Sequence, residues 1–336
     1  MSSLDSIPNE LLERVFLPLN KATLLALCTT NHPIGAVATR LLYQKVTLSD
    51  AEQAAAFVNA VKPRPDLQAF VQELEMGEMG DLSPWMVQQL TAAVWTLVRL
   101  QVLEPRSCRF WVEPGDRLSG ATFPSLRKLS CVETAGTSTR VAPFLERHPG
   151  ITHLSVFAYD AGPTGVRAIR LPRLREYTGT SSFLLRCDRA ALGSVESLEV
   201  RSDDGADLAE ALGRLGRLRA LRRLTFEQSS SDLVRALEQV AEHVPWVREL
   251  SLSVRVVARD APSPPPAAGA WRSQIAATLC RLPCLRLLAF DGHTYGGAHD
   301  RDNVAGWLGA CSGLEEIWLG TSVRGPTHDP ALTSPG

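Results

Sequence analysis

A short pattern, apolar-x-x-apolar-x-apolar, returns at intervals of a few tens of residues along most of this chain, and it constrains the fold more than any other feature. Seven copies are clear: Leu126-x-x-Leu129-x-Cys131, Ile151-x-x-Leu154-x-Val156, Val195-x-x-Leu198-x-Val200, Leu221-x-x-Leu224-x-Phe226, Val247-x-x-Leu250-x-Leu252, Leu285-x-x-Leu288-x-Phe290 and Leu314-x-x-Ile317-x-Leu319. Three are weaker: Val71-x-x-Leu74-x-Met76, Leu97-x-x-Leu100-x-Val102, and Leu174-x-x-Tyr177-x-Gly179, which lacks the final apolar residue. The last two apolar positions of each copy are two apart, the period of a strand, so both point to one face.

Pro124, Pro149, Pro172, Pro245 and Pro283 each stand two residues before a copy, where a fixed φ and a missing donor are tolerated just ahead of strand pairing. Segments with helical apolar spacing lie between the strands: Trp85 to Leu97, Val141 to His148, Leu208 to Leu218, Leu233 to Val244, Trp271 to Leu282 and Val304 to Cys311. Strands separated by helices cannot close hairpins and stack in parallel instead. The expected fold class is therefore α/β: a parallel sheet on one face, helices on the other, each unit covering the apolar edge of the next in an irregular solenoid.

Composition sets limits on function. With 336 residues and 45% apolar content the chain can bury a small module and a larger body. A net charge of -1 gives no general attraction to nucleic acid or to a membrane surface. The first residues carry no basic stretch followed by an apolar one, and no run of about 18 apolar residues follows, so a cytoplasmic or nuclear location is expected. The seven cysteines (28, 108, 131, 187, 280, 284 and 311) sit mostly inside apolar patterns and read as reduced, small hydrophobes. Neither a phosphate-cradling glycine loop, a nucleophile elbow nor a paired metal-binding histidine motif is present, so no catalytic residue, cofactor or metal ligand is assigned. Cys280 and Cys284, four apart and in repeat phase with Cys311, read as packing, and His293, His299 and Asp300 as a solvated polar group.

Residues 1–48 have a different texture. Pro8 opens a helix with Ser6 as a nearby cap, and Leu11, Leu12, Val15, Phe16 and Leu19 form one wide apolar stripe. Helical spacing continues through Leu24, Leu25, Leu27 and Cys28, while Pro33-x-Gly35 predicts an interruption. The order Ile7-Pro8-x-Glu10-Leu11-Leu12-x-x-Val15-Phe16-x-x-Leu19, then Leu24-Leu25-x-Leu27-Cys28, then Leu42-Tyr43-x-Lys45-Val46, resembles an F-box. That resemblance implies helices that bind the adaptor subunit of an SCF-type ubiquitin ligase, and through it a cullin. The adaptor contacts it implies are Ile7, Pro8, Leu11, Leu12, Val15, Leu24 and Leu25.

The repeats in residues 49–324 resemble the leucine-rich-repeat family, matching the first six positions of L-x-x-L-x-L-x-x-N/C. Its asparagine is absent: three residues past the last apolar position stand Thr134, Tyr159, Asp203, Ser229, Arg255, His293 and Ser322. A proline-rich insertion, residues 258–270, should project as a loop, and residues 325–336 read as a disordered tail. Strand residues between the core positions face the open side of the sheet: Lys128, His153, Ser155, Phe157, Arg201, Arg223, Glu227, Glu249, Asp291, Glu316 and Trp318. Of these, Phe157, Arg201, Arg223, Glu227, Glu249 and Trp318 are the candidate target-binding residues, because mixed charges interleaved with aromatics suit a protein partner better than a phosphate polymer. The reading is a non-catalytic substrate receptor of a ubiquitin ligase holding an unknown target protein. The alternative is a repeat scaffold without a ubiquitin role, in which the N-terminal helices only cap the repeats.

Overall fold

The computed structural model describes residues 7–77, 79, 82–105, 120–133, 138–158, 168–188, 192–201, 206–215, 219–229, 233–255, 270–291, 300–320 and 332–333. They fall into two compact units, Met1–Thr152 and His153–Gly336.

The first unit opens with three helices, α1 (Asn9–Phe16), α2 (Lys21–Cys28) and α3 (His32–Gln44). The Pro8 carbonyl receives the first amides of α1, from Leu11 at 3.0 Å and Leu12 at 3.2 Å. Asn20 caps α2 by accepting the Thr23 amide at 2.9 Å, and Asn31 caps α3 through the Ile34 amide at 3.2 Å. The expected interruption at Pro33-x-Gly35 is not found. Pro33 lies in the first turn of α3, where an amide has no partner to lose, so it starts the helix that it was expected to break. Gly35 lets α3 approach α2: a Cβ there would stand 3.1 Å from the Cys28 carbonyl oxygen. Leu12, Phe16, Leu24, Ile34, Val37, Ala38 and Leu41 form the core of the three helices. An ion pair between Arg40 and Glu13 ties α3 to α1 at the surface.

Four strands follow in parallel, β1 (Lys45–Leu48), β2 (Glu73–Met76), β3 (Val102–Pro105) and β4 (Lys128–Glu133), with helices α4 (Ala51–Val61), α5 (Pro65–Gln68) and α6 (Pro84–Val94) between them and α7 (Ser138–Arg147) after. Two departures from the repeat reading are informative. Strand β1 falls in a stretch read as helical, although Tyr43-x-x-Val46-x-Leu48 is itself a copy of the pattern, in register with Leu74 and Met76. The weak copy at Leu97 is out of phase: the strand begins at Val102, and Leu103, fully buried, holds the inward position instead of Leu100. Leu97 closes the preceding turn, its carbonyl accepting the Leu100 amide at 3.1 Å. Leucines at 97, 100 and 103 fit the pattern in two phases, and only pairing with β2, Leu74 against Leu103, distinguishes them.

The second unit stacks seven parallel strands in chain order: β5 (His153–Ala158), β6 (Glu176–Thr180), β7 (Ser197–Arg201), β8 (Arg223–Ser229), β9 (Glu249–Arg255), β10 (Leu287–Asp291) and β11 (Glu316–Gly320). A two-residue strand, β12 (Leu332–Thr333), lies antiparallel to β11. Helices α8 (Ser181–Leu185), α9 (Ala206–Leu215), α10 (Leu233–His243), α11 (Ala270–Leu279) and α12 (Asp300–Ala310) connect the strands, and each packs on the next. The fold is thus α/β with open parallel pairing, and a helix lies in every crossover from β6 to β11, while none is described between β5 and β6. Inward residues such as Leu198, Val200, Leu224, Leu250 and Leu288 are buried, each contributing about 1.5–3 kcal/mol of hydrophobic stabilisation. Strand and helix meet directly where Phe290 of β10 packs on Trp307 of α12, with ring centroids 5.4 Å apart.

The five prolines have a common geometry. In each case the residue before the proline accepts the amide three positions on, Phe123 from Leu126, His148 from Ile151, Leu171 from Leu174, Val244 from Val247 and Leu282 from Leu285, at 3.0–3.1 Å. Proline therefore occupies the second position of a β-turn, which its fixed φ favours and which needs no donor.

The copy that lacks its last apolar residue is repaired by its own middle residue. Tyr177 is buried, stacks on Phe183 with centroids 6.1 Å apart, and donates its hydroxyl to the Thr180 carbonyl at 2.8 Å. It takes the space a side chain at 179 would need: a Cβ on Gly179 would lie 2.6 Å from the Tyr177 hydroxyl and 2.1 Å from the Val156 carbonyl oxygen.

Candidate protein-interaction surfaces

The apolar stripe of α1 is divided between two duties. Leu12 and Phe16 point into the three-helix core, and Leu12 is only 5% exposed, whereas Leu11 and Val15, one turn apart on the opposite side, are 51% and 64% exposed. Helix α2 repeats the division, with Leu24 buried at 8% and Leu25 exposed at 50%. Of the seven residues that the F-box resemblance implies, Leu11, Val15 and Leu25 are thus free to meet a partner, and Pro8 is exposed beside them in sequence. Leu12 and Leu24 hold the helices together instead, and Ile7 packs partly buried against the same core. Leu17, 68% exposed just past α1, is a further apolar surface residue that the stripe did not include.

The open face of the sheet in the second unit carries the other candidates, and most of them hold each other. The Arg201 guanidinium lies over the Phe157 ring, 4.6 Å from its centroid, and reaches Glu199 at 3.2 Å and Glu227 at 3.7 Å. Beside it, Arg223 bonds Glu249 across one strand at 2.6 Å, a contact that raises the arginine's pKa above its ordinary value. His153 approaches Glu176 at 3.5 Å. The rungs alternate in sign because the parallel register sets these residues directly opposite one another, Arg201 against Glu227 and Arg223 against Glu249. Trp318 lies on β11, exposed, in register with Ala289 and two strands from Glu249. Ser155 and Glu316 are half-exposed on the same face.

In the first unit the open face is acidic around two lysines. Lys45 bonds Glu75 at 2.7 Å and Glu73 at 3.5 Å, and Lys128 bonds Glu104 at 2.7 Å. At the strand starts a short glutamine ladder runs across three rungs, with the Gln72 side-chain oxygen accepting from Gln44 at 3.3 Å and Gln101 at 3.4 Å. Trp85, Trp95 and Val98 are exposed on and just beyond α6. No motif marks them, since the helical pattern that locates α6 is carried by its buried residues.

Cys311 is buried, its thiol pKa pushed up by desolvation, and Cys280 donates to the Ala310 carbonyl at 3.0 Å. Among the described residues no group of three or more His, Cys, Asp and Glu is placed to hold a metal ion, and no helix is long and apolar enough to cross a membrane. His293, His299, the side chains of Asp291 and Asp300, the insertion at 258–269 and most of the tail lie outside the described residues, as do five of the seven asparagine-ladder positions, all but Ser229 and Arg255.

No model of a known protein family matches the chain, and no curated protein matches it significantly. Among solved structures it is similar to the complex of Rad7 and Elc1 in yeast, at 13% identity and a TM-score of 0.38, covering 97% of this chain and 92% of that one. It is also similar to the complex of TLR13 with the RNA ssRNA13, at 12% identity and a TM-score of 0.28, covering 77% of this chain and 47% of that one.

Proposed function

We propose that the chain is a non-catalytic substrate-receptor subunit of a cullin-based, SCF-type ubiquitin ligase. Residues 1–48 are the F-box-like module that binds the adaptor subunit, and the repeats in residues 49–324 hold the target protein. One observation carries the reading: Leu11, Val15 and Leu25 stay exposed although the three helices already have a complete core of their own. A helix that only capped the repeats would turn such residues inward, because large exposed aliphatics in a short amphipathic helix stabilise nothing until a partner covers them.

The target-binding role rests on the second unit's open face, where Phe157, Arg201, Arg223, Glu227 and Glu249 form a fixed mosaic of both charges and Trp318 supplies an exposed aromatic. Charges already paired cost less to bury against a partner than free ones, and an exposed tryptophan is the residue type that most often dominates an interface.

The test is capture of purified adaptor by the full chain. Wild-type protein should bind saturably, and Leu11→Asp with Val15→Asp should abolish binding while the circular dichroism and melting temperature stay unchanged. Absence of wild-type binding, with the helices folded, would leave a repeat scaffold without a ubiquitin role.

A further inference from the structure

The residue just before each of strands β7 to β11 lies on one edge of the sheet, where its amide bonds the carbonyl of the equivalent residue one rung earlier. Arg222 donates to Glu196, Arg248 to Arg222, Arg286 to Arg248 and Glu315 to Arg286, each at 2.8 Å. Three successive rungs therefore carry arginine at the same position, and neighbouring strands are only about 4.8 Å apart. All three side chains are exposed. Arg286 has a distant partner in Glu315 at 3.8 Å, while Arg222 and Arg248 form no ion pair among the described residues.

Such an arrangement contrasts with the open face of the same sheet, where Arg201 and Arg223 are each answered by a glutamate one strand away. Like charges on adjacent rungs repel, and Arg222 and Arg248, which form no ion pair among the described residues, draw their counter-charge from outside, while Glu315 meets Arg286 alone at the end of the row. We propose that the Arg222–Arg248–Arg286 edge is a docking site for an extended acidic segment of a protein partner.

Geometry favours a peptide. The three rungs span about 10 Å, and long arginine side chains can splay to meet carboxylates spaced about 6.6 Å apart on alternate residues of an extended strand, so a segment of about four to six residues fills the row. Guanidinium forks match carboxylates bidentately. A phosphate polymer fits worse, because glutamates close the row at both ends, Glu196 and Glu315, and Glu249 and Glu316 begin the adjoining strands. A charged polymer tracking across the sheet would be repelled as soon as it left the third rung. The inference is independent of adaptor binding, since it concerns a different unit and a different chemistry.

The test uses the full chain and a fluorescent peptide in which glutamate and serine alternate over about six residues, flanked by uncharged glycine and serine so that no negative charge overhangs the row. Anisotropy should show saturable binding at about 0.05 M salt that weakens at least tenfold by about 0.5 M, as screening requires. R222E/R248E/R286E should lose at least tenfold in affinity, and R222Q/R248Q/R286Q a smaller part of it, with unchanged melting temperatures. K21E/R99E/R235E, which makes the same change in net charge at exposed sites elsewhere, should bind as wild type does. Equal loss in that control, no saturable binding by the wild type, or tighter binding of an equal length of polyuridylate would each overturn the proposal.

Discussion

The Nε2 atom of His148 accepts the backbone N–H of Phe123 at 2.8 Å, and the opposite nitrogen of the same ring lies 2.7 Å from the Phe144 carbonyl. An amide can only donate and a carbonyl can only accept, so the imidazole is neutral with its proton on Nδ1. It is buried and stacks against two phenyl rings, with centroids 4.1 Å from Phe144 and 5.8 Å from Phe123. One ring thus fastens the end of α7 to the turn that leads into β4.

Burial lowers the His148 pKa below its ordinary value of 6.5. Below that value the unfolded chain takes up a proton that the folded chain refuses, so stability falls as pH falls and is level above it. The expected loss approaches about 1.4 kcal/mol per pH unit, the limit for one proton. Thermal melts from about pH 8 to about pH 5 should show the decline, and His148→Gln should flatten its slope whatever it does to the melting temperature itself.

Leu11 and Leu12 are neighbours with opposite roles. Leu12→Ala should cost about 2–4 kcal/mol by opening a cavity among the three helices, while Leu11→Ala should stay within about 0.5 kcal/mol. Chemical denaturation of the two variants, compared with adaptor capture, separates folding from binding residue by residue.

Gly179→Ala is expected to destabilise the second unit by at least about 2 kcal/mol, since the new methyl meets a backbone oxygen that cannot turn aside. Tyr177→Phe keeps the ring and removes only the hydroxyl, leaving the Thr180 carbonyl without that bond. Its cost should be about 1–2 kcal/mol, read from denaturant midpoints.

Phe157 and Arg201 should show coupling. A double-mutant cycle with alanine at both positions is expected to give an interaction of about 0.5–1 kcal/mol, and Glu227→Ala should weaken it by freeing the guanidinium to leave the ring. Purely additive effects would mean that the two side chains do not hold each other in solution.

The repeat was legible because burial leaves a regular mark. Leu129, Leu154, Leu198, Leu224, Leu250 and Leu288 all fill the inward position that the pattern assigned to them. Where the pattern fits two phases, as at Leu97, Leu100 and Leu103, only pairing with a neighbouring strand decides, and no local spacing encodes that. Pro33 reads as a break because a proline starts a helix as readily as it ends one, and only the Asn31 cap distinguishes the two. The candidate surfaces were legible as residue types. Sequence spacing cannot say that Leu11 is left outside while Leu12 is taken in, because both fit one wide stripe until α3 is present to choose between them. The arginine row is hidden in the sequence for a related reason: Arg222, Arg248 and Arg286 are separated by unequal stretches of chain and become neighbours only when the strands are laid side by side.

The turn and amide bond that open each strand refer only to the strand before it, never to the length of the connection in between. Arg248 and Arg286 are joined by a long connection containing the proline-rich insertion, while Arg222 and Arg248 are joined by a shorter one, yet both steps close with a 2.8 Å bond. Crossovers can therefore lengthen or shorten over generations without disturbing the alignment of the sheet. An edge or face of this kind can keep its chemistry while the loops around it diverge, and the same property makes the connections natural places to insert a tag, a probe or a second binding element.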